Sequence, residues 1–139
     1  MILIDTNVIS EPLRKSPESR VIDWIDAQPL ETLYLSAITV AELRFGVASL
    51  AAGKRRDALH DDLESRALPL FTGRVLAFDM TASQAYADLM ARARSAGLAI
   101  GKTDGFIAAM AVANRMMVAT RDTAPFEAAG VSVINPWEA

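Results

Sequence analysis

Short apolar runs alternate along this chain with longer segments whose apolar residues recur at helical spacing. The short runs predict about five strands, over residues 1–4, 33–36, 75–78, 117–120 and 131–134. The longer segments predict helices over residues 10–28 (interrupted by Pro12 and Pro17), 39–50, 54–67, 79–97 with Asp79 as N-cap, 103–114 and, as a short turn, 125–129. Strands that alternate with helices predict a parallel sheet covered on both faces, which is a three-layer α/β/α domain.

The composition narrows the chemistry that this domain can perform. The chain has 139 residues, of which 52% are hydrophobic, and we expect residues 1–139 to form a single domain with a substantial core. It contains no cysteine and one histidine, His60. A disulfide scaffold, a thiolate zinc site, a cysteine nucleophile and an ordinary Ser-His-Asp triad are therefore not expected. The net charge of −3 gives no overall attraction to nucleic acid, so binding a polyanion would need a local basic patch.

Neither export nor membrane insertion is indicated by the pattern. The first residues lack a basic stretch and reach the carboxylate of Asp5 almost at once, unlike a signal peptide. No apolar run approaches the ~20 residues of a membrane span. We therefore expect a cytoplasmic protein without membrane contact.

Four acidic residues lie close to the predicted strands, three of them after a strand and the fourth at the start of a helix that precedes one. Asp5 follows the first strand, Glu42 lies in the first turn of the helix after the second strand, and Asp122 lies just past the fourth. Asp104 begins the helix that leads into the fourth strand. Because ligands of an open parallel sheet bind outside the carboxyl ends of its strands, at least the first three acids should share one rim. Protonation or a hard cation would relieve their repulsion, and an all-oxygen cluster favours Mg²⁺ or Mn²⁺ over zinc.

Each acid taken alone also has an ordinary structural explanation. Thr39 and Glu42 have the spacing of a capping box, in which Glu42 would bond the Thr39 amide. Asp104 and Asp122 could each be the N-cap of a helix. Asp5 could belong to a turn, although a carboxylate directly after an all-apolar inner strand has no obvious partner.

The same residues carry a resemblance to a known family. The matching segments are ILIDTNVIS (2–10), SAITVAELR (36–44), DGFIAA (104–109), ATRD (119–122) and VINPW (133–137). With these segments the chain resembles PIN-domain endoribonucleases and, within them, VapC toxins, most closely those of the FitB type. The Asp-Thr-Asn segment alone would be weak, whereas the ordered set of four acids after the right elements is specific.

The resemblance implies an Mg²⁺-dependent endoribonuclease, with Mn²⁺ as a substitute, that acts as the toxin of a toxin–antitoxin pair. By position, the acidic, metal-binding site would consist of Asp5, Glu42, Asp104 and Asp122, with Asp5 and Asp104 the firmest ligands. Thr6, Asn7 and Thr120 would be supporting groups. One departure is that many relatives carry an acid shortly before the residue matching Phe126, where this chain has Pro125, so Asp122 must be the last acid of the site.

An acidic pocket does not attract RNA unaided, so basic side chains should surround it. Arg121 and Lys102 neighbour the acids in sequence and are the predicted phosphate contacts. The resemblance also implies a homodimer and a cognate antitoxin of the VapB or FitA type that covers the site, in a possible higher assembly. DNA would then be bound only through the antitoxin.

Three other functions are compatible with an acidic, parallel-sheet domain. A receiver-type signalling domain would need paired acids after the first strand and a Lys after the last, but Asp5 is followed by Thr6 and the chain closes on Asn135-Pro136. A haloacid-type phosphatase would need an Asp two residues after its nucleophile, where this chain has Asn7. The third alternative is an inactive PIN fold that acts only as an interaction module through its antitoxin complex.

Overall fold

A five-stranded parallel sheet forms the centre of the molecule, in a computed structural model that describes residues 1–139. The strands are β1 (Ile2–Ile4), β2 (Leu33–Ser36), β3 (Val75–Leu76), β4 (Met117–Ala119) and β5 (Val133–Ile134), in the spatial order β3-β2-β1-β4-β5. In the centre, Leu3 pairs with Tyr34 on one side and Val118 on the other. The predicted parallel sheet is therefore confirmed.

The two edge strands are shorter than the apolar pattern predicted. After β3 the chain leaves the sheet, and Phe78 instead packs edge-on against Phe106, with 5.0 Å between ring centroids. Before β5, the Val131 amide donates to the Phe126 carbonyl at 3.0 Å, which closes the turn after the last helix. That amide is not available to the sheet, so the strand begins only at Val133.

Seven α-helices connect and cover the strands. They are α1 (Thr6–Ile9), α2 (Ser19–Ala27), α3 (Ala37–Ala48), α4 (Lys54–Asp61), α5 (Met80–Ser95), α6 (Lys102–Ala113) and α7 (Ala124–Ala128). The helix predicted over residues 10–28 is in fact a 3₁₀ turn at Glu11–Leu13 followed by α2, because Pro12 and Pro17 interrupt it, and α1 before this segment was not predicted. The helix predicted over 54–67 is α4 followed by a π-helical turn at Asp62–Ala67. None of these helices is long and apolar enough to cross a membrane.

Both faces of the sheet are covered by apolar side chains. Leu3 and Val118 point into one buried cluster, which is completed by residues of α5, α6 and α7. The next residues along the same strands, Ile4 and Ala119, belong to the opposite cluster with Val8, Val21, Leu33, Leu35 and Phe71. Since successive strand residues point to opposite faces, β1 is buried on both sides, as its pattern predicted. The result is the predicted three-layer α/β/α arrangement.

Close packing of α6 on α5 depends on Gly105. A Cβ atom at this position would lie 2.9 Å from Met90 Sδ and 3.1 Å from Tyr86 Cε2. Both distances are shorter than ordinary van der Waals contact. The missing side chain lets the first turn of α6, which carries Asp104, approach α5 closely.

Alanine substitutions at two helical glycines should have opposite effects on stability. Gly105→Ala should lower the free energy of unfolding by about 1–2 kcal/mol, because the new methyl group overpacks against Met90 and Tyr86. Gly46→Ala in α3 should raise it by about 0.5–1 kcal/mol, because nothing lies within 4 Å of the new Cβ and alanine is the better helix former. Urea denaturation of both variants measures the two shifts. Equal shifts of the same sign would contradict this packing.

Candidate active site

Asp5 lies at the carboxyl end of the central strand and is 5% exposed. Its backbone N–H donates to Ala119 O at 2.9 Å, which continues the pairing of β1 with β4. Its Oδ1 accepts from the Thr6 amide at 2.8 Å, so Asp5 is the N-cap of α1. Its Oδ2 accepts from Thr120 Oγ1 at 2.9 Å and from Asn7 Nδ2 at 3.4 Å. The expectation that Asp5 lacks a partner was wrong, because its neighbours in α1 and after β4 supply three donors.

These donors orient the Asp5 carboxyl group but do not neutralise it. Burial raises the pKa of Asp5 from 3.8 to about 6, against the opposing effect of the Thr6 and Thr120 hydrogen bonds. The negative charges of Asp104 and Glu42 contribute to the same rise, and the value of about 6 includes their effect. A buried carboxyl group whose pKa is raised by burial and by neighbouring acids, at the edge of a sheet, is a candidate for function.

Glu42 in α3 is joined by a hydrogen bond to Thr6, the residue that follows Asp5. Its Oε1 accepts from Thr6 Oγ1 at 2.6 Å, and Thr6 Oγ1 lies 3.1 Å from Thr39 Oγ1. The capping box predicted for Thr39 and Glu42 does not form. Instead Ser36 is the N-cap of α3, and its Oγ accepts from the Thr39 amide at 2.9 Å. Glu42 is thereby free to face the site rather than its own helix end.

Asp104 and Asp122 complete the group of four acids. Asp104 lies half-buried in the first turn of α6, whose N-cap is Gly101, so the N-cap alternative for Asp104 is wrong. Burial raises the pKa of Asp104, and the charges of Asp122 and Glu42 raise it further. Asp122 is exposed and does not cap α7, whose N-cap position is Thr123. Asp104 is therefore near enough to each of the other three acids for their charges to interact.

No cation within the chain compensates this cluster. The three salt bridges are Arg14–Glu11, Arg44–Glu64 and Arg66–Asp62, and none of them includes a site residue. As the side chains stand, no three acids are arranged to hold a metal ion together. The donors are nevertheless all carboxylate and hydroxyl oxygens, which suit Mg²⁺, and Mg²⁺ usually binds through one or two carboxylates plus several waters. The residues present therefore fit such an ion without a preformed cage.

The two predicted phosphate contacts both lie at this edge. Lys102 is the exposed first residue of α6, two positions before Asp104. Arg121 follows Thr120, and its amide donates to Asn7 Oδ1 at 3.1 Å. The Arg121 guanidinium stands over the ring of Trp137, 5.0 Å from the centroid. Neither side chain belongs to an ion pair.

Two residues contact site residues in a way that the sequence did not predict. Thr39 was interpreted as a helix cap, although its hydroxyl lies against that of Thr6. Trp137 stood out in the sequence only as part of the VINPW segment. Its ring packs against the apolar cluster that includes Ile4 and Ala119, and it also lies under the Arg121 guanidinium. The signal for Trp137 was its position after β5, since residues that follow neighbouring parallel strands meet at the same edge.

Comparison with known proteins identifies the family of this chain. The sequence model of the PIN domain matches residues 2–131. The chain belongs to the PIN-domain family. Among curated proteins, this PIN domain is similar to VapC ribonuclease Y4jK of Sinorhizobium fredii, with 63% identity over 99% of each chain. It is also similar to toxin FitB of Neisseria gonorrhoeae, with 55% identity over 99% of each chain.

A solved structure confirms the fold over nearly its whole length. The structure of FitAB bound to an IR36 DNA fragment contains a chain that superposes on this PIN domain with a TM-score of 0.96 and 54% identity, covering 99% of this chain and 96% of the other. The resemblance noted from the sequence segments is therefore confirmed at the level of family and fold.

Proposed function

We propose that this PIN domain is an Mg²⁺-dependent endoribonuclease and the toxin of a toxin–antitoxin pair, with Mn²⁺ able to replace Mg²⁺. The observation that carries the proposal is the group of four uncompensated carboxylates around buried Asp5, whose pKa is raised to about 6. The ribonuclease and toxin roles in the names of two relatives support the reaction and the biological role. The receiver and phosphatase alternatives have no comparable support, because Thr6 and Asn7 occupy positions where those classes need an acid.

In this proposal, Asp5 and Asp104 are the principal metal ligands, and Glu42 and Asp122 complete the acidic set. When bound, the ion would lower the pKa of a coordinated water and stabilise the negative charge that develops on the phosphate. Thr6, Asn7 and Thr120 keep the Asp5 oxygens in a fixed orientation through their hydrogen bonds. Fixed donors matter because preorganised electrostatics need no rearrangement during the reaction.

The remaining steps of phosphodiester hydrolysis use groups at the rim. Glu42 accepts a hydrogen bond from Thr6 Oγ1 through Oε1, which leaves Oε2 to take a proton from the attacking water. The water oxygen forms a bond to phosphorus as the bond from phosphorus to the leaving ribose oxygen breaks, and that oxygen takes a proton from solvent. Asp104 and Asp122 are the other acids that could orient that water. Arg121 and Lys102 bind the phosphates on either side of the scissile bond, because their side chains are exposed and neither belongs to an ion pair.

The proposed partners follow from the same comparisons. A structure of FitAB with DNA supports a cognate antitoxin of the VapB or FitA type for this chain, and DNA contact through that antitoxin alone. The net charge of −3 agrees with the second point, because the chain itself offers no overall attraction to DNA. We also propose a homodimer, and a higher assembly with the antitoxin.

Metal removal tests the proposed reaction. Purified chain, free of antitoxin, is incubated with total cellular RNA in Mg²⁺, in Mn²⁺, in EDTA, and in EDTA followed by excess Mg²⁺. Cleavage should fall at least about 100-fold in EDTA and return on addition of Mg²⁺ or Mn²⁺. Cleavage that persists in EDTA would contradict the proposal. A folded chain that cleaves no RNA under any condition would favour the inactive interaction module instead.

A further inference from the structure

Arg121 is an exposed cation beside an acidic cluster, yet it pairs with none of the acids. Its neighbour in sequence is Asp122, but no carboxylate lies within salt-bridge distance of its guanidinium. The guanidinium makes no hydrogen bond within the chain, and its contact is the face of the Trp137 ring at 5.0 Å. Its five N–H donors are therefore free to bind an anion from solution.

Trp137 is itself fixed from three sides. Its amide donates to Asn135 Oδ1 at 2.9 Å, and its carbonyl accepts from Arg20 Nη1 of α2 at 3.0 Å. Its half-buried side chain packs against the apolar cluster that includes Ile4 and Ala119. The ring is thus a rigid surface rather than a mobile tail.

The sheet brings the two residues together at the edge that carries the acids. β4 and β5 are neighbours, and Ala119 is paired with Ile134. Arg121 and Trp137 follow these paired residues by two and three positions, so both lie beyond the carboxyl ends of their strands. The Arg121 backbone is fixed separately, through its bond to Asn7 Oδ1. The direction of the side chain is therefore determined by Trp137 and the backbone position by Asn7.

We propose that Trp137 is a positioning residue that holds the Arg121 guanidinium at the rim of the carboxylate site, where it binds an RNA phosphate next to the scissile bond. This inference rests on the proposed nuclease function. Stacking on the indole keeps the planar guanidinium from turning toward Asp122 and the other acids, where an internal ion pair would use up both its own donors and the carboxylate oxygens. Less rotamer freedom is then lost when RNA binds.

Steady-state cleavage of a short RNA measures the proposed effect. Trp137→Leu should raise KM about 5-fold and leave kcat within about twofold, because a cation–π contact of this kind affects phosphate binding rather than the reacting atoms. Trp137→Phe keeps an aromatic face and should restore most of the affinity. Arg121→Ala should raise KM at least as much, and the double variant should be no worse than Arg121→Ala alone. Trp24→Leu is the matched control, since Trp24 packs against the same apolar cluster without contacting Arg121.

A spectroscopic arm separates this inference from the nuclease proposal. In a Trp24→Phe background, Trp137 is the sole tryptophan, because the chain contains two. Its emission should change when RNA binds in EDTA, and Arg121→Ala should abolish that change and reduce the salt dependence of binding by about one phosphate contact. The Arg121-dependent change in emission without RNA cleavage would support the positioning role while the nuclease proposal fails. Three results would overturn the positioning role. The first is that the KM effects of Trp137→Leu and Arg121→Ala add in the double variant, and the second is that Trp137→Leu and Trp24→Leu raise KM equally. The third is that the chain binds no RNA.

Discussion

Asp5→Asn should abolish RNA cleavage while making the metal-free protein more stable. The amide keeps the shape of the side chain but lacks the negative charge that the site needs. Loss of one preorganised electrostatic group of this kind typically lowers kcat about 10²–10³-fold. The variant should remain folded, because Thr6 can still donate to the remaining oxygen at 2.8 Å. Cleavage of total RNA with Mg²⁺ measures the loss.

The stability change follows from the pKa of Asp5, which is about 6 in the folded chain against 3.8 without the fold. Between these two values the folded state binds more protons than the unfolded state, so the free energy of unfolding falls as pH rises through that window. The rise in pKa from 3.8 to about 6 corresponds to a loss of at most about 3 kcal/mol from the free energy of unfolding at pH 7. The Asn side chain cannot recover all of this loss, because its hydrogen bonds are no longer assisted by a charge. Asp5→Asn should recover part of this, and the gain should vanish below about pH 4.

Urea denaturation in EDTA from pH 3.5 to 8 measures this difference. Asp23→Asn is the control, because Asp23 is an exposed acid of α2 that makes no hydrogen bond or ion pair. The control should follow the wild type at every pH and cleave RNA at the wild-type rate. An Asp5→Asn protein that is less stable than wild type at pH 7, or that still cleaves RNA, would contradict the account.

Asp104→Asn should lower cleavage by about 10²-fold, through the loss of the second principal ligand. The same change should lower the pKa of Asp5, because the Asp104 charge contributes to raising it. The two effects are measured separately, by RNA cleavage and by NMR titration of the Asp5 carboxyl carbon in the metal-free protein. The fold should be retained, since Gly101 rather than Asp104 is the N-cap of α6.

The paired measurement distinguishes a site residue from a structural one. If Asp104→Asn cleaved RNA normally while the pKa of Asp5 fell, Asp104 would be an electrostatic neighbour and not a ligand. If the pKa of Asp5 did not change, the two carboxylates would not share a site in solution. Asp23→Asn should change neither quantity.

The location of the acids could be predicted because it depends on element order alone. Asp5 and Asp122 follow parallel strands, and such strands end at one edge of a sheet, so no knowledge of their neighbours was required. The strand order β3-β2-β1-β4-β5 was not predicted, and it is this order that brings Thr120 to Asp5 and Trp137 to Arg121. Pairwise contacts of this kind depend on which strands are adjacent, and an apolar run does not indicate its neighbour.

Local ambiguities account for the other differences. Ser36 and Thr39 are three residues apart and both have hydroxyl groups that can cap a helix. The structure uses Ser36, so α3 begins two residues before the predicted start and Glu42 is directed to Thr6. A turn was the structural alternative for Asp5, but Asp5 caps the short helix α1 through the Thr6 amide. Short helices held by a single cap are not visible in apolar periodicity.

Calorimetric titration of the metal-free chain with Mg²⁺, in two buffers that differ in ionisation enthalpy, tests the metal site most directly. The account predicts binding that is lost in Asp5→Asn and Asp104→Asn and retained in Asp23→Asn. Near pH 6 it also predicts proton release, because the raised pKa of Asp5 leaves that carboxyl partly protonated before the ion binds. RNA cleavage with no Mg²⁺ or Mn²⁺ binding, or binding that is the same in wild type and both site variants, would contradict the carboxylate metal site.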